Sequence, residues 1–171
     1  MDPSYISPFI HSVQNVFSTM LQMPVTVGEP SIKSSAEPAH DVSGIIGMSG
    51  DVAGSIVLSF DSETADAIVS LFTGEKIDAS SPDFADAVGE LVNMISGGAK
   101  AKFPGGKSVS ISCPSVIVGK GHSVAPQTDI PCVIIPGATD CGEIAIEVAI
   151  REQPAPAGAG AGAASASGGA S

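Results

Sequence analysis

From Tyr5 to Met23, apolar residues recur at Phe9, Val13, Val16, Phe17, Met20 and Leu21, the stripe of an amphipathic helix, and Pro24 ends it. Val25–Ile32, Ser43–Met48 and Ala53–Phe60 are β-branched and partly alternating, which predicts strands, with hairpin chemistry at Ser49-Gly50-Asp51. Asp61-Ser62-Glu63 offers caps for a helix through Ala65, Ile68, Val69 and Phe72 that Gly74 can close. Ser81 as N-cap and Pro82 at the first helical position open a longer helix from Asp83 to about Lys102, stopped by Pro104-Gly105-Gly106. Ser108–Val118, Pro131–Ile135 and Glu143–Ile150 then read as strands. Helix, three strands, two helices and three strands favour an α+β layered sandwich, with helices covering a mostly antiparallel sheet. Residues 1–152 are expected to form one domain. Residues 153–171 contain no large apolar side chain and are expected to be a flexible Ala/Gly/Ser-rich tail.

Charge narrows the partners. Lysine and arginine total 7 against 18 acidic residues, so the chain lacks the positive surface that neutralises nucleic-acid phosphates, and nucleic acid is not expected. The opening residues lack the pattern of a secretory leader and no segment has the roughly 18 apolar residues of a membrane span, so a cytoplasmic protein with no membrane partner is expected. Cys113, Cys132 and Cys141 lack CxxC spacing, and the simplest reading is buried reduced thiols. His11, His40 and His122 are scattered, so no metal site of the chain's own is expected.

The second long helix carries the candidate chemistry. Phe84, Val88, Leu91, Val92, Ile95 and Ala99 fall on one face at 3.6-residue spacing, and Asp86, Glu90, Asn93 and Gly97 cluster on the opposite one. A polar face on such a helix is ordinarily just solvated. Three details point further. Asn93 is a poor mid-helix residue, because its amide competes for backbone hydrogen bonds. Gly89, Gly97 and Gly98 lower helix propensity, and glycine beside Glu90 and Asn93 would let another backbone come close. No lysine or arginine stands four residues from Glu90 to pair with it.

The stretch Asp86-Ala-Val-Gly-Glu90-Leu-Val-Asn93 resembles the ExxN signature of the CheC, CheX and FliY phosphatases of bacterial chemotaxis. Residues 41–50, Gly54–Phe60, Val116–His122 and Pro131–Pro136 are similar to the CheX branch, as is the single ExxN copy. This resemblance implies a CheC-like fold and a phosphatase acting on the phosphoaspartate of a CheY-type receiver. Glu90 and Asn93 would enter the receiver's active site, and Asp86, Gly89 and Gly97 would lie where the partner approaches. It also implies magnesium supplied by the receiver, no cofactor of the chain's own, and a homodimer formed sheet edge to sheet edge. The alternative is a receiver-binding module without catalysis.

Residues 101–108, AKFPGGKS, match a relaxed phosphate-loop pattern, but a helix precedes them and strand-like alternation follows, the reverse of what that loop needs. Gly119-Lys-Gly-His-Ser123 reads as a turn rather than a phosphate nest, and no GxSxG elbow occurs.

Overall fold

The first apolar stripe becomes helix α1 (Ile6–Leu21), entered through a 3-10 turn at Pro3–Tyr5. A computed structural model describes residues 2–34, 39–125 and 129–154, so most of the expected tail lies outside the described residues. After α1 come β1 (Thr26–Val27), β2 (Ser31–Ile32), β3 (His40–Gly50), β4 (Val52–Phe60), α2 (Ser62–Thr73), α3 (Pro82–Lys100), β5 (Val109–Ile111), β6 (Ser115–His122), β7 (Val133–Thr139) and β8 (Gly142–Glu152). Two of the expected strands are each split. Gly28-Glu29-Pro30 divides Val25–Ile32 into β1 and β2. Ser112-Cys113-Pro114 divides Ser108–Val118 into β5 and β6, since Pro114 has no amide hydrogen for a ladder.

The strands form one eight-stranded sheet in the order β1-β7-β8-β4-β3-β5, with β2 also on β7 and β6 also on β3. Every pairing is antiparallel. Alternation gives the sheet one strongly apolar face: Val42, Ile46, Ile56, Leu58, Phe60, Ile144, Ile146 and Val148 are buried there with the apolar sides of the helices. At about 2 kcal/mol per fully buried large aliphatic or aromatic side chain, this face dominates the folding energy. Helix α3 touches β3, β4, β5 and β6 as well as α1 and α2. Gly44 on β3 makes its close seat: a Cβ there would stand 3.1 Å from Val92 and 3.3 Å from Val88.

The other face is also covered. In the sheet β8 and β4 stand between β7, with β2 on it, and β3, with β6 on it. At the described ends of the β2–β3 and β6–β7 connections, Lys33 forms an ion pair with Glu147 of β8 and donates to the Val124 carbonyl at 2.8 Å, while Ile130 and Cys132 pack on Ala149. Lys33 and Glu147 keep only 10% and 7% of their side-chain surface exposed.

Some local signals act through unexpected partners. Asp61 stands at the N-cap of α2 but its side chain caps nothing; the Asp41 carboxylate from β3 does so, accepting from Ser62 N at 2.9 Å and Ser62 Oγ at 3.1 Å. It also accepts from Gly121 N at 3.1 Å. The Ser62 amide, then that of Gly121, hold its carboxyl below the ordinary range. Ser81 and Pro82 open α3 as the sequence indicated, the serine oxygen accepting from Asp83 N at 3.2 Å.

Tyr5 is the chain's sole tyrosine, and there is no tryptophan. It is buried and donates its hydroxyl hydrogen to Glu152 at the end of β8. Burial first, and the carboxylate second, push its pKa from 10.0 up to about 12. The neutral hydroxyl therefore contributes stability that is complete below pH 10 and lost as the pH climbs through about 12. The same bond lowers Glu152 from 4.5, so that contribution is present above pH 4.5 and lost as the pH falls through the depressed value. An alkaline absorbance titration of tyrosinate is expected to show a midpoint near 12 that moves down in Glu152→Gln. A midpoint near 10 in the folded protein would contradict the buried placement.

Candidate functional site

Phe84, Val88, Leu91, Val92, Ile95 and Ala99 of α3 are all buried, which fixes the helix's rotation about its axis. With those positions inward, Asp86 and Glu90 are exposed, and Asn93 and Gly97 are half-buried on the outer side. The structure thus brings four of the five candidate residues into one outward stripe. Glu90 and Asn93 stand one turn apart, about 5–6 Å between Cβ atoms. Among the described residues no hydrogen bond or ion pair engages either side chain. A carboxylate and an amide held on a rigid helix without internal partners are available to an incoming protein.

Gly89 is set apart from the others. It is buried, and a Cβ there would stand 3.0 Å from Cγ and 3.3 Å from Cβ of Pro114, with Val116 at 3.6 Å. Its missing side chain seats the Ser112–Pro114 corner against α3, so this glycine packs internally and stands apart from the outward stripe. Gly97 differs: nothing lies within 4 Å of where its Cβ would be. Gly98 accommodates α1, since a Cβ there would meet Ser12 Oγ at 2.5 Å. That same Ser12 hydroxyl donates to the Ile95 carbonyl at 2.7 Å. The glycine-rich turn after Asn93 therefore stays helical to Lys100, braced by α1 on one flank. Lys100 Nζ donates to the Val109 carbonyl at 3.0 Å and ties the helix end to β5.

Other candidates resolve simply. Residues 104–106 form a turn between helix and strand, the wrong context for a phosphate loop. Cys132 is buried and Cys141 half-buried, but Cys113 is exposed, which corrects the expectation of three buried thiols. Burial, then the charge of Asp140, raise the Cys141 thiol above its ordinary value. Among the described residues no group of three or more His, Cys, Asp or Glu could hold a metal, and no helix is long and apolar enough to cross a membrane. A cavity of about 610 Å³ lies across the sheet from α3, against Pro136, Ala145 and Glu147.

The family model for chemotaxis phosphatase CheX matches residues 42–137. The chain is 34% identical over 122 residues to the CheY-P phosphatase CheX of Thermotoga maritima, covering 70% of this chain and 79% of that protein. A crystal structure of chemotaxis protein CheX from Desulfovibrio desulfuricans is similar at 36% identity and a TM-score of 0.77, over 87% of this chain and 99% of that one. The CheX of a CheX–CheY–BeF3–Mg complex from Borrelia burgdorferi is similar at 27% identity and a TM-score of 0.68, over 86% and 98%. The family model spans more than half of the chain and the Thermotoga relative is 34% identical, so the chain belongs to the CheX family of chemotaxis phosphatases.

Proposed function

We infer that this protein is a phosphatase that removes phosphate from the active-site aspartate of a CheY-type receiver and so ends its signal. The observation that carries the reading is the outward Glu90 and Asn93 pair, free of internal partners among the described residues, in a chain of the CheX family. Water attacks phosphorus in line, the bond between phosphorus and the aspartate oxygen breaks, and the carboxylate and inorganic phosphate are released. Positioning supplies much of such a reaction. The amide of Asn93 both donates and accepts, so it can hold the water without the repulsion that a carboxylate would meet near the phosphoryl oxygens. Glu90, one turn away, pairs with the receiver's active-site lysine and fixes the dock. Asp86 meets the rim of the partner. The receiver brings the magnesium that neutralises the phosphoryl group. The decisive experiment is the decay of phosphate on receivers from the same cell, with and without catalytic amounts of this protein.

In this reading the protein works in the cytoplasm as a homodimer. Strand β6 supports the dimer: among the described residues it pairs only with β3 and leaves its other edge open to a second sheet, and Ile117 and Val118 on it are 38% and 44% exposed. Sedimentation at several concentrations checks this, and a monomer throughout would remove it.

Gly97 separates stability from docking. Gly97→Ala adds a methyl in open space on a helix, so it is expected to stabilise the fold by up to about 1 kcal/mol. The same methyl stands on the stripe and is expected to weaken receiver binding. Urea unfolding and receiver affinity are the two readouts, and an unchanged affinity would remove Gly97 from the docking surface.

A further inference from the structure

We propose that the corner Ser112-Cys113-Pro114, between β5 and β6, is the second wall of the surface on which the receiver docks. The proposal rests on the reading of Glu90 and Asn93 given above and extends it to a part of the chain outside the ExxN stripe.

Position is the first argument. The Pro114 ring lies 3.0 Å from where a Cβ on Gly89 would stand, and Gly89 and Asn93 occupy one row of α3, four residues apart. Neighbours in such a row are about 5–6 Å apart, so the corner flanks Asn93 at the distance of roughly one helical turn. On the opposite flank α1 contacts α3 at Ile95 and Gly98, on the side of the stripe away from Asn93.

Reach is the second. An asparagine amide extends only a short way beyond the helix backbone, so the phosphoryl group must come nearly onto α3, bringing the partner's surrounding surface with it. A standard protein interface buries about 800 Å² per partner, which for a round patch is a radius of about 16 Å. A patch centred on Asn93 includes the corner.

The corner is also built to be met. Ser112, Cys113 and Pro114 are all exposed. Ser112 N donates to the Gly47 carbonyl at 2.9 Å, Gly47 N donates to Ser112 Oγ at 2.9 Å, and Ser112 Oγ donates to the Cys113 carbonyl at 3.1 Å. A wall pinned to β3 in this way needs no ordering when a partner arrives. Having no charge, it contributes shape rather than steering.

Cys113 makes the test direct, because it is exposed, Cys132 is buried, and the half-buried Cys141 has a raised thiol pKa. A bulky polyethylene glycol maleimide on the full chain will therefore label Cys113 first. The readouts are KM and kcat for receiver dephosphorylation, affinity for a beryllofluoride-loaded receiver, the thermal midpoint and the sedimentation coefficient. The label is expected to raise KM and Kd by about tenfold or more, as blocking a well-packed contact does, with the thermal midpoint unchanged. The Cys113→Ser protein is expected to give the same KM and Kd before and after the reagent. Stoichiometric labelling with unchanged Kd overturns the proposal, and so does a loss accompanied by a shifted midpoint or altered oligomeric state. If the unlabelled protein binds receivers but does not speed decay, the catalytic reading fails while the Kd comparison still decides the corner. If it binds none, both fall.

Discussion

Asn93→Ala is expected to abolish the protein's acceleration of receiver dephosphorylation, lowering kcat on the order of 10²-fold or more, as removal of one preorganised hydrogen-bonding group commonly does. Affinity for the receiver is expected to stay within a few-fold, because the removed amide acts on water rather than holding the partner. The fold is not at risk. Asn93 is half-buried with no internal hydrogen bond among the described residues, and alanine is the better helix former by several tenths of a kcal/mol. Glu90→Ala should behave differently, raising KM through loss of the pair with the receiver's lysine. Phosphate decay at saturating and at low receiver concentration measures both effects. If wild-type protein binds receivers without speeding decay, the enzymatic reading falls and a binding module remains. If Asn93→Ala retains full kcat, the water is positioned by another group.

The second large effect concerns stability. Among the described residues, Glu147→Leu leaves the buried Lys33 ammonium with only the Val124 carbonyl, and Lys33→Met leaves the buried Glu147 carboxylate without its ion pair. Breaking one side of such a pair costs about 3–5 kcal/mol, a large fraction of the 5–15 kcal/mol that holds a domain of this size. The double variant Lys33→Met with Glu147→Leu should recover most of the loss, since two apolar side chains of similar volume carry no desolvation cost. Urea unfolding of the four proteins forms a complete cycle. Single variants costing under about 1 kcal/mol would mean that water reaches the pair in solution.

The long helices were legible because their information is local. Ser81 and Pro82 announce the start of α3, and the inward positions from Phe84 to Ala99 set its orientation, so the outward place of Glu90 and Asn93 follows from spacing. The strands were legible in kind but not in pairing. Nothing near Lys33 marks Glu147 as its partner, because they lie far apart in sequence and meet through the pairing of β2 with β7 and of β7 with β8. Asp41 as the cap of α2 was hidden for the same reason. Gly89 shows the converse: glycine says that something comes close, not what, and its contact with Pro114 depends on where the break between β5 and β6 falls. The exposed Cys113 follows from that break too, since a continuous strand would have turned alternate residues inward.

The place of β8 has a consequence for how the molecule is made. The last strand among the described residues is not at an edge but between β4 and β7, joined to the first from Val52 to Phe60 and to the second from Val133 to Thr139. During synthesis the helices and the β3–β4 hairpin can gather as they emerge, yet the long edge of β4 stays open until β8 leaves the ribosome. The sheet therefore closes last at its centre, through contacts distant in sequence, a topology that slows folding. Until then the nascent chain carries a bare strand edge of the kind that recruits other chains. The residues that complete the domain and those that shield it from aggregation are the same eleven, Gly142–Glu152.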